Sequence, residues 1–217
     1  MTARIVLVTG FEPFGGDAVN PSREIALELD GAEIAGHRVV GAVLATEFAR
    51  ALPTLRGLVE RHDPALVLAL GLAGGREGIS LERVAINLVD ARIADNAGAQ
   101  PIDVPVVENA PNAYFSTLPL KAMLARLREN GIPATLSHTA GTFVCNQVFY
   151  GLMHALAAGG GEARGGFVHV PYLPEQAAQH GATAQLPLAA MVEAIGSCIE
   201  TALTAPSDLH YAAGSLQ

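Results

Sequence analysis

Cys145 stands in Ser137-His138-Thr139-Ala140-Gly141-Thr142-Phe143-Val144-Cys145-Asn146-Gln147-Val148-Phe149-Tyr150, which reads as a strand end, a short glycine-containing turn and a helix. Thr142 is the expected N-cap, and Val148, Phe149, Leu152 and Leu156 recur at helical spacing. Cys145 then falls in the first helical turn. Unpaired N–H groups and the positive end of the helix dipole favour the thiolate there, and the thiolate is the nucleophile. The same amides can stabilise an oxyanion beside the sulfur. Cys145 is also in register with the apolar stripe, and on this stretch alone core packing is the stronger reading.

Partners must therefore come from elsewhere. His169 lies in the alternating strand Gly166-Phe167-Val168-His169-Val170-Pro171, on the face of Phe167 and Pro171. It reads equally as a satisfied core histidine or as the general base of a Cys–His pair. Glu82 sits in the alternating segment Ser80 to Val89 and shares a face with Val84, Ile86 and Leu88. It is either a solvated strand start or an inward carboxylate that holds an imidazole in one tautomer.

The elements that must position these residues alternate. Buried-strand patterns at Arg4–Gly10, Val39–Leu44 and Ala65–Gly71 are followed by helices that start at Asn20-Pro21 and near Phe48; the second runs to Arg61. A loop rich in Asn, Gly and Pro covers Asp95 to Asn112, and a third helix spans Leu120 to Glu129. The strand Ala134–His138 feeds the Cys145 helix, which Gly159-Gly160-Gly161 closes. After the His169 strand, a fifth helix covers Leu188 to Leu203, and a polar tail from Pro206 is expected to be mobile. This order predicts one α/β domain over residues 1–217: a mostly parallel twisted sheet with helices on both faces, three layers in all. Ligands of such sheets bind beyond the strand C-termini. Phe11, Phe14, Leu72, the Cys145 turn and Pro171 all follow strand ends, so one sheet edge is the candidate site.

Composition narrows the function. Of 217 residues, 50% are hydrophobic and 16% charged, enough to bury a core and to exclude disorder. The net charge of −8, with no run of Lys or Arg and no Trp, argues against nucleic acid. No apolar run approaches membrane-spanning length. The two cysteines, Cys145 and Cys198, do not form a disulfide framework. The expectation is a soluble cytoplasmic protein with reduced thiols, with Cys198 packed in the last helix. Neither the cysteines nor His138, His154, His169 and His180 show metal-ligand clustering. The loop Gly10-Phe11-Glu12-Pro13-Phe14-Gly15-Gly16 does not fit a dinucleotide fingerprint, and Glu12 would face the phosphate charge. A nucleoside-phosphorylase-like transferase would have no need of Cys145.

Several blocks, in order from Thr9 to Gln176, resemble the pyroglutamyl peptidase I family. They are Gly10–Gly16 with Asn20-Pro21-Ser22; Glu82-Arg83-Val84-Ala85-Ile86-Asn87-Leu88 with Asp90-Ala91-Arg92; Gly141–Asn146; and His169-Val170-Pro171-Tyr172-Leu173-Pro174-Glu175-Gln176. The resemblance implies removal of an N-terminal pyroglutamyl residue from peptides through a thioester, with no metal and no cofactor, by a homotetramer. It makes Cys145 the nucleophile, His169 the base and Glu82 the orienting acid. Arg92 is then placed near the oxyanion beside the Cys145 N–H; an ion pair with Asp90 or Asp95 is the competing reading. Phe11, Phe14, Thr46, Ile93, Phe143 and Val144 are expected around the lactam ring, with Asn20 nearby. One departure concerns Leu72, which stands where bacterial relatives commonly carry a Gln whose amide meets the lactam. Leu cannot hydrogen-bond, so the alternative is a weakened or non-catalytic binding homologue.

Overall fold

The computed structural model describes residues 4–160 and 162–214. Strand β1 (Arg4–Phe11) leads through helix α1 (Pro21–Glu28) and the two-residue β2 (Glu33–Ile34) into β3 (His37–Leu44). Then come α2 (Ala51–His62), β4 (Leu66–Leu72), β5 (Ile79–Glu82), β6 (Val84–Ile86) and β7 (Ala113–Phe115). The second half contains α3 (Leu120–Glu129), β8 (Ala134–Ser137), α4 (Val144–Gly159), β9 (Arg164–Val170), α5 (Pro174–His180) and α6 (Leu188–Thr204).

Seven strands form one sheet in the order β2-β3-β1-β4-β9-β5-β8. β3, β1, β4 and β9 are mutually parallel, whereas β5 is antiparallel to β9 and parallel to β8. Alternate side chains feed two cores, as strands buried on both faces require. Val6, Val8, Leu68, Leu70 and Val168 pack with Ile25, Met123, Leu127, Ile195 and Ile199. On the other face Leu7, Val67, Ala69 and Phe167 pack with Leu55, Val148, Phe149 and Leu152. Helices α1, α3 and α6 thus cover one face and α2 and α4 the other, the three layers expected. Cys198 is fully buried in the first core.

Asn20 caps α1 as predicted: its Oδ1 accepts from Ser22 N at 3.1 Å, and Pro21 opens the helix. Other boundaries differ for identifiable reasons. The segment Ser80–Val89 is not one strand. The chain leaves the main sheet at Arg83, whose N–H donates to Ser137 O, and Val84–Ile86 pairs instead with Ala113–Phe115. The break reverses the alternation, so Ala85 is buried while Val84 and Ile86 are half-buried. Residues 48–50 form a turn before α2 rather than its first turn. Helix α5, absent from the sequence reading, has no apolar periodicity; Pro174 at its start, a Gln176 side chain accepting from Leu173 N–H, and Gly181 in the left-handed region define it instead. The tail beyond Pro206 lies along α3 as far as it is described. Asp208 accepts from the N–H groups of Lys121 and Ala122, and the Tyr211 hydroxyl donates to Lys121 O. Among the described residues, no helix is long and apolar enough to cross a membrane.

Candidate active site

The connection that leaves β1 runs to one side, toward β3, and the one that leaves β4 runs to the other, toward β5, so the crevice between β1 and β4 is the switch point at which open α/β sheets bind ligands. The loops after β1 and β4 flank it. The turn before Cys145 does not leave the same sheet edge, because β8 runs opposite to β4 and β9. Residues 138–143 carry the chain back over the sheet face instead. Phe143, not Thr142, is the N-cap, and the Thr142 hydroxyl donates to Asp90 O at 2.7 Å. A cap was expected there because Thr is a frequent N-cap; the bond to Asp90 takes its hydroxyl and stitches the Arg92 segment to the cysteine turn. Cys145 is the second residue of α4.

Its sulfur rests on Gly71. A Cβ at Gly71 would lie 2.8 Å from Cys145 Sγ and 2.9 Å from the Phe167 ring, so only glycine leaves room for both. Gly71 is in register with His169 on the adjacent strand, which brings the cysteine and the histidine to neighbouring positions. No Cys145–His169 hydrogen bond occurs among the described residues, as is common before substrate closes such a pair.

His169 is buried, and its Nδ1 lies 2.7 Å from Glu82 Oε1. Glu82 is fully buried, not a solvated strand start. A carboxylate can only accept, so Nδ1 carries the proton and Nε2 is left as the basic atom. Arg76 NH1 donates to the same Glu82 oxygen at 2.5 Å, and its NH2 donates to Thr139 O at 2.9 Å. Burial lowers the His169 pKa; the Glu82 hydrogen bond and charge oppose this and Arg76 adds to it. Burial, then the Glu82 charge, push the Cys145 thiol up to about 12, against weaker lowering by Arg76 and by the cysteine's own N–H. The resting pair is therefore neutral thiol and neutral imidazole. The helix N-terminus does not by itself produce a thiolate here, because desolvation outweighs it.

The remaining predicted residues divide into groups. Phe14 stacks obliquely on Phe143, with centroids 6.2 Å apart, and Phe143 meets Phe48 edge-on at 5.2 Å. Phe11 ends β1 and is buried against Phe167 at 6.5 Å. Val144 and Leu72 are buried, while Ile93 is 39% exposed. Thr46 donates to Glu12 O at 2.8 Å, and Asn20 Nδ2 donates to the same carbonyl at 3.1 Å. Asn20 is thus committed to the cap and to the loop that carries Phe14. Arg92 is exposed and pairs with neither Asp90 nor Asp95; Asp95 instead accepts from the N–H groups of Phe48, Ala97 and Ala99.

Sequence reasoning missed Arg76, Gly71, Phe48 and Asn146. Fully buried Asn146 donates to the carbonyls of Ile86 and Leu88 and accepts from Ile86 N–H, tying the Cys145 helix to the strand after Glu82. A buried Asn beside a helix-start Cys carried a signal that could have been read. Arg76 carried none, because an arginine in a glycine-rich turn reads as solvated.

The family described as pyroglutamyl peptidase matches residues 4–205. A pyrrolidone-carboxylate peptidase of Escherichia fergusonii is 50% identical over 212 residues, covering 98% of this chain and 99% of that one. Its counterpart in Cupriavidus pinatubonensis is 52% identical over 214 residues, with the same coverage. Among solved structures, pyroglutamyl peptidase I from Bacillus amyloliquefaciens superposes with a TM-score of 0.94 at 42% identity, covering 97% of this chain and all of that one. Pyrrolidone carboxyl peptidase from Thermococcus litoralis gives 0.93 at 41%, with 96% and 99% covered.

Proposed function

This chain belongs to the pyroglutamyl peptidase family, and from that membership we propose that it is a cysteine exopeptidase that removes N-terminal pyroglutamate from peptides with Cys145, His169 and Glu82 as its triad. The observation that carries the residue assignment is the buried 2.7 Å contact between His169 Nδ1 and Glu82, beside a cysteine sulfur seated one strand away.

In this reading Cys145 Sγ attacks the pyroglutamyl carbonyl carbon while its proton passes to His169 Nε2. Glu82 stabilises the imidazolium so formed. The Cys145 N–H and the exposed Arg92 side chain stabilise the oxyanion. His169 returns the proton to the leaving amine as the C–N bond breaks and a thioester remains. Water, deprotonated by the same imidazole, then hydrolyses the thioester and frees pyroglutamate and the thiol. No step needs a metal or cofactor. The lactam has no charged amine, so the apolar walls of Phe14, Phe143 and Phe48 suit it. A cytoplasmic homotetramer belongs to the same proposal, and a monomer mass by light scattering would sink that part.

The test is release of a fluorescent amine from its pyroglutamyl conjugate, with a prolyl conjugate as control. Turnover of the pyroglutamyl substrate alone, abolished in Cys145→Ala and by alkylation, is expected. Undiminished turnover in Cys145→Ala, or none in folded, reduced wild type, would overturn the reading.

A further inference from the structure

The loop between β4 and β5 has an unusual task. β9 lies between these two strands, so residues 73–78 must pass over the C-terminal end of β9. Ala73 N–H donates to Val170 O at 3.0 Å and fixes the crossing. Arg76 therefore hangs above the end of the His169 strand, six residues before Glu82. Its guanidinium contacts a fully buried carboxylate oxygen and a carbonyl of the turn that leads to Cys145.

Glu82 Oε1 receives two donors, His169 Nδ1–H and Arg76, while Oε2 has no hydrogen-bond partner among the described residues. With His169 neutral at rest, Arg76 is the one full positive charge that touches this buried anion among the described residues. A buried carboxylate without a counter-charge is strongly destabilised and moves toward water, so without Arg76 the acid would be held by His169 alone.

We propose that Arg76 is a positioning residue of the catalytic apparatus, acting through Glu82 and the Thr139 carbonyl to hold the buried acid against His169 and in register with the turn that carries Cys145. The proposal rests on the triad assignment above. Arg76 makes no hydrogen bond to the Cys145 sulfur among the described residues; it works through the residues it holds. Its planar fork matters, because two separate acceptors are met by two nitrogens, which the single ammonium of lysine does less well. The charged groups that act on His169 are Glu82 from β5 and Arg76 from the loop; Cys145, also titratable, sits over the neighbouring strand. Arg76 disfavours the imidazolium and Glu82 favours it, so loss of Arg76 raises the His169 pKa.

The test uses the full chain as Arg76→Met and Arg76→Lys, with steady-state kinetics, thermal unfolding and NMR titration of the His169 ring nitrogens. In Arg76→Met, kcat is expected to fall about 10- to 100-fold, the range for a mispositioned group, with KM within about twofold. The His169 titration moves to higher pH. Arg76→Lys, which keeps the charge, holds the titration near that of wild type and recovers part of kcat. Wild-type kcat together with an unmoved titration in folded Arg76→Met overturns the proposal. Should Arg76→Met not fold, wild-type kcat in Arg76→Lys overturns it, and a reduced kcat with a retained titration supports it. Failure of the triad assignment reads differently, as turnover surviving Cys145→Ala, because the NMR titration reports on Arg76 independently of any substrate.

Discussion

Gly71→Ala tests whether the sulfur of Cys145, the proposed nucleophile, is placed by the floor beneath it. The added Cβ would stand 2.8 Å from Cys145 Sγ and 2.9 Å from Phe167 Cζ. Ordinary nonbonded contact lies at about 3.5–4.0 Å, so sulfur, ring or strand must give by roughly 0.6 to 1.2 Å. Gly71 is not in the left-handed region, so alanine adds no backbone strain there and the cost is steric. Phe167 is fixed between Phe11 and Phe149, with centroids 6.5 and 5.8 Å away, so the sulfur of half-buried Cys145 moves more readily. A displacement of about 1 Å costs on the order of 100-fold in rate, or about 2.7 kcal/mol in the barrier. Overpacking should cost about 1–3 kcal/mol of stability. The loss belongs in kcat, because Phe14, Phe143 and Phe48 are not what the new methyl meets. The assay is kcat and KM on the pyroglutamyl conjugate, alongside urea unfolding to confirm a folded variant. A folded Gly71→Ala with kcat within about threefold of wild type would refute the reasoning, since the sulfur would then not need the position it occupies.

Three further outcomes follow from the site. Leu72→Gln restores a hydrogen-bonding group at the end of β4; if the lactam is unmet there, KM should fall by about 5- to 100-fold, the equivalent of about 1–3 kcal/mol, and an unchanged KM would mean that backbone groups already serve the lactam. With burial lowering the His169 pKa, the ascending limb of kcat/KM should lie below 6.5. With the Cys145 thiol pushed up to about 12, its alkylation by iodoacetamide should rise about tenfold per pH unit between roughly pH 7 and 9. A plateau reached by about pH 8 would contradict this.

The architecture was legible because four buried strands separated by helices leave few topologies open, and Asn20-Pro21 announced its helix correctly. Local rules failed where side chains found distant partners. Thr142 had the composition of a cap, but its hydroxyl went to Asp90 O, 52 residues away in sequence. The strand through Glu82 had unbroken alternation, yet Arg83 pairs with Ser137 and Ser116 and turns the chain out of the sheet. Phe48 read as the start of a helix and instead forms part of the aromatic cluster with Phe143. Arg76 was invisible, because its partners Glu82 and Thr139 are joined only by the order of strands in the sheet.

That strand order also explains how a carboxylate can be wholly buried beneath an imidazole. In an all-parallel sheet each strand would deliver its C-terminal residues to the same edge, where water competes for a charge. Here β5 enters at that edge, with Ser80 opposite His169, and runs down to Glu82 opposite Phe167. The acid is thus presented from inside the sheet, one pleat below the histidine, and no water-exposed loop has to hold it. The same reversal creates the requirement for a bridging loop over β9, and that loop carries the cation which compensates the burial. The reversed strand, the buried acid and Arg76 form one structural solution. Removing Arg76 should then be felt at His169, beyond the reach of its own side chain and through Glu82, more than in the aromatic pocket on the other side of the cysteine.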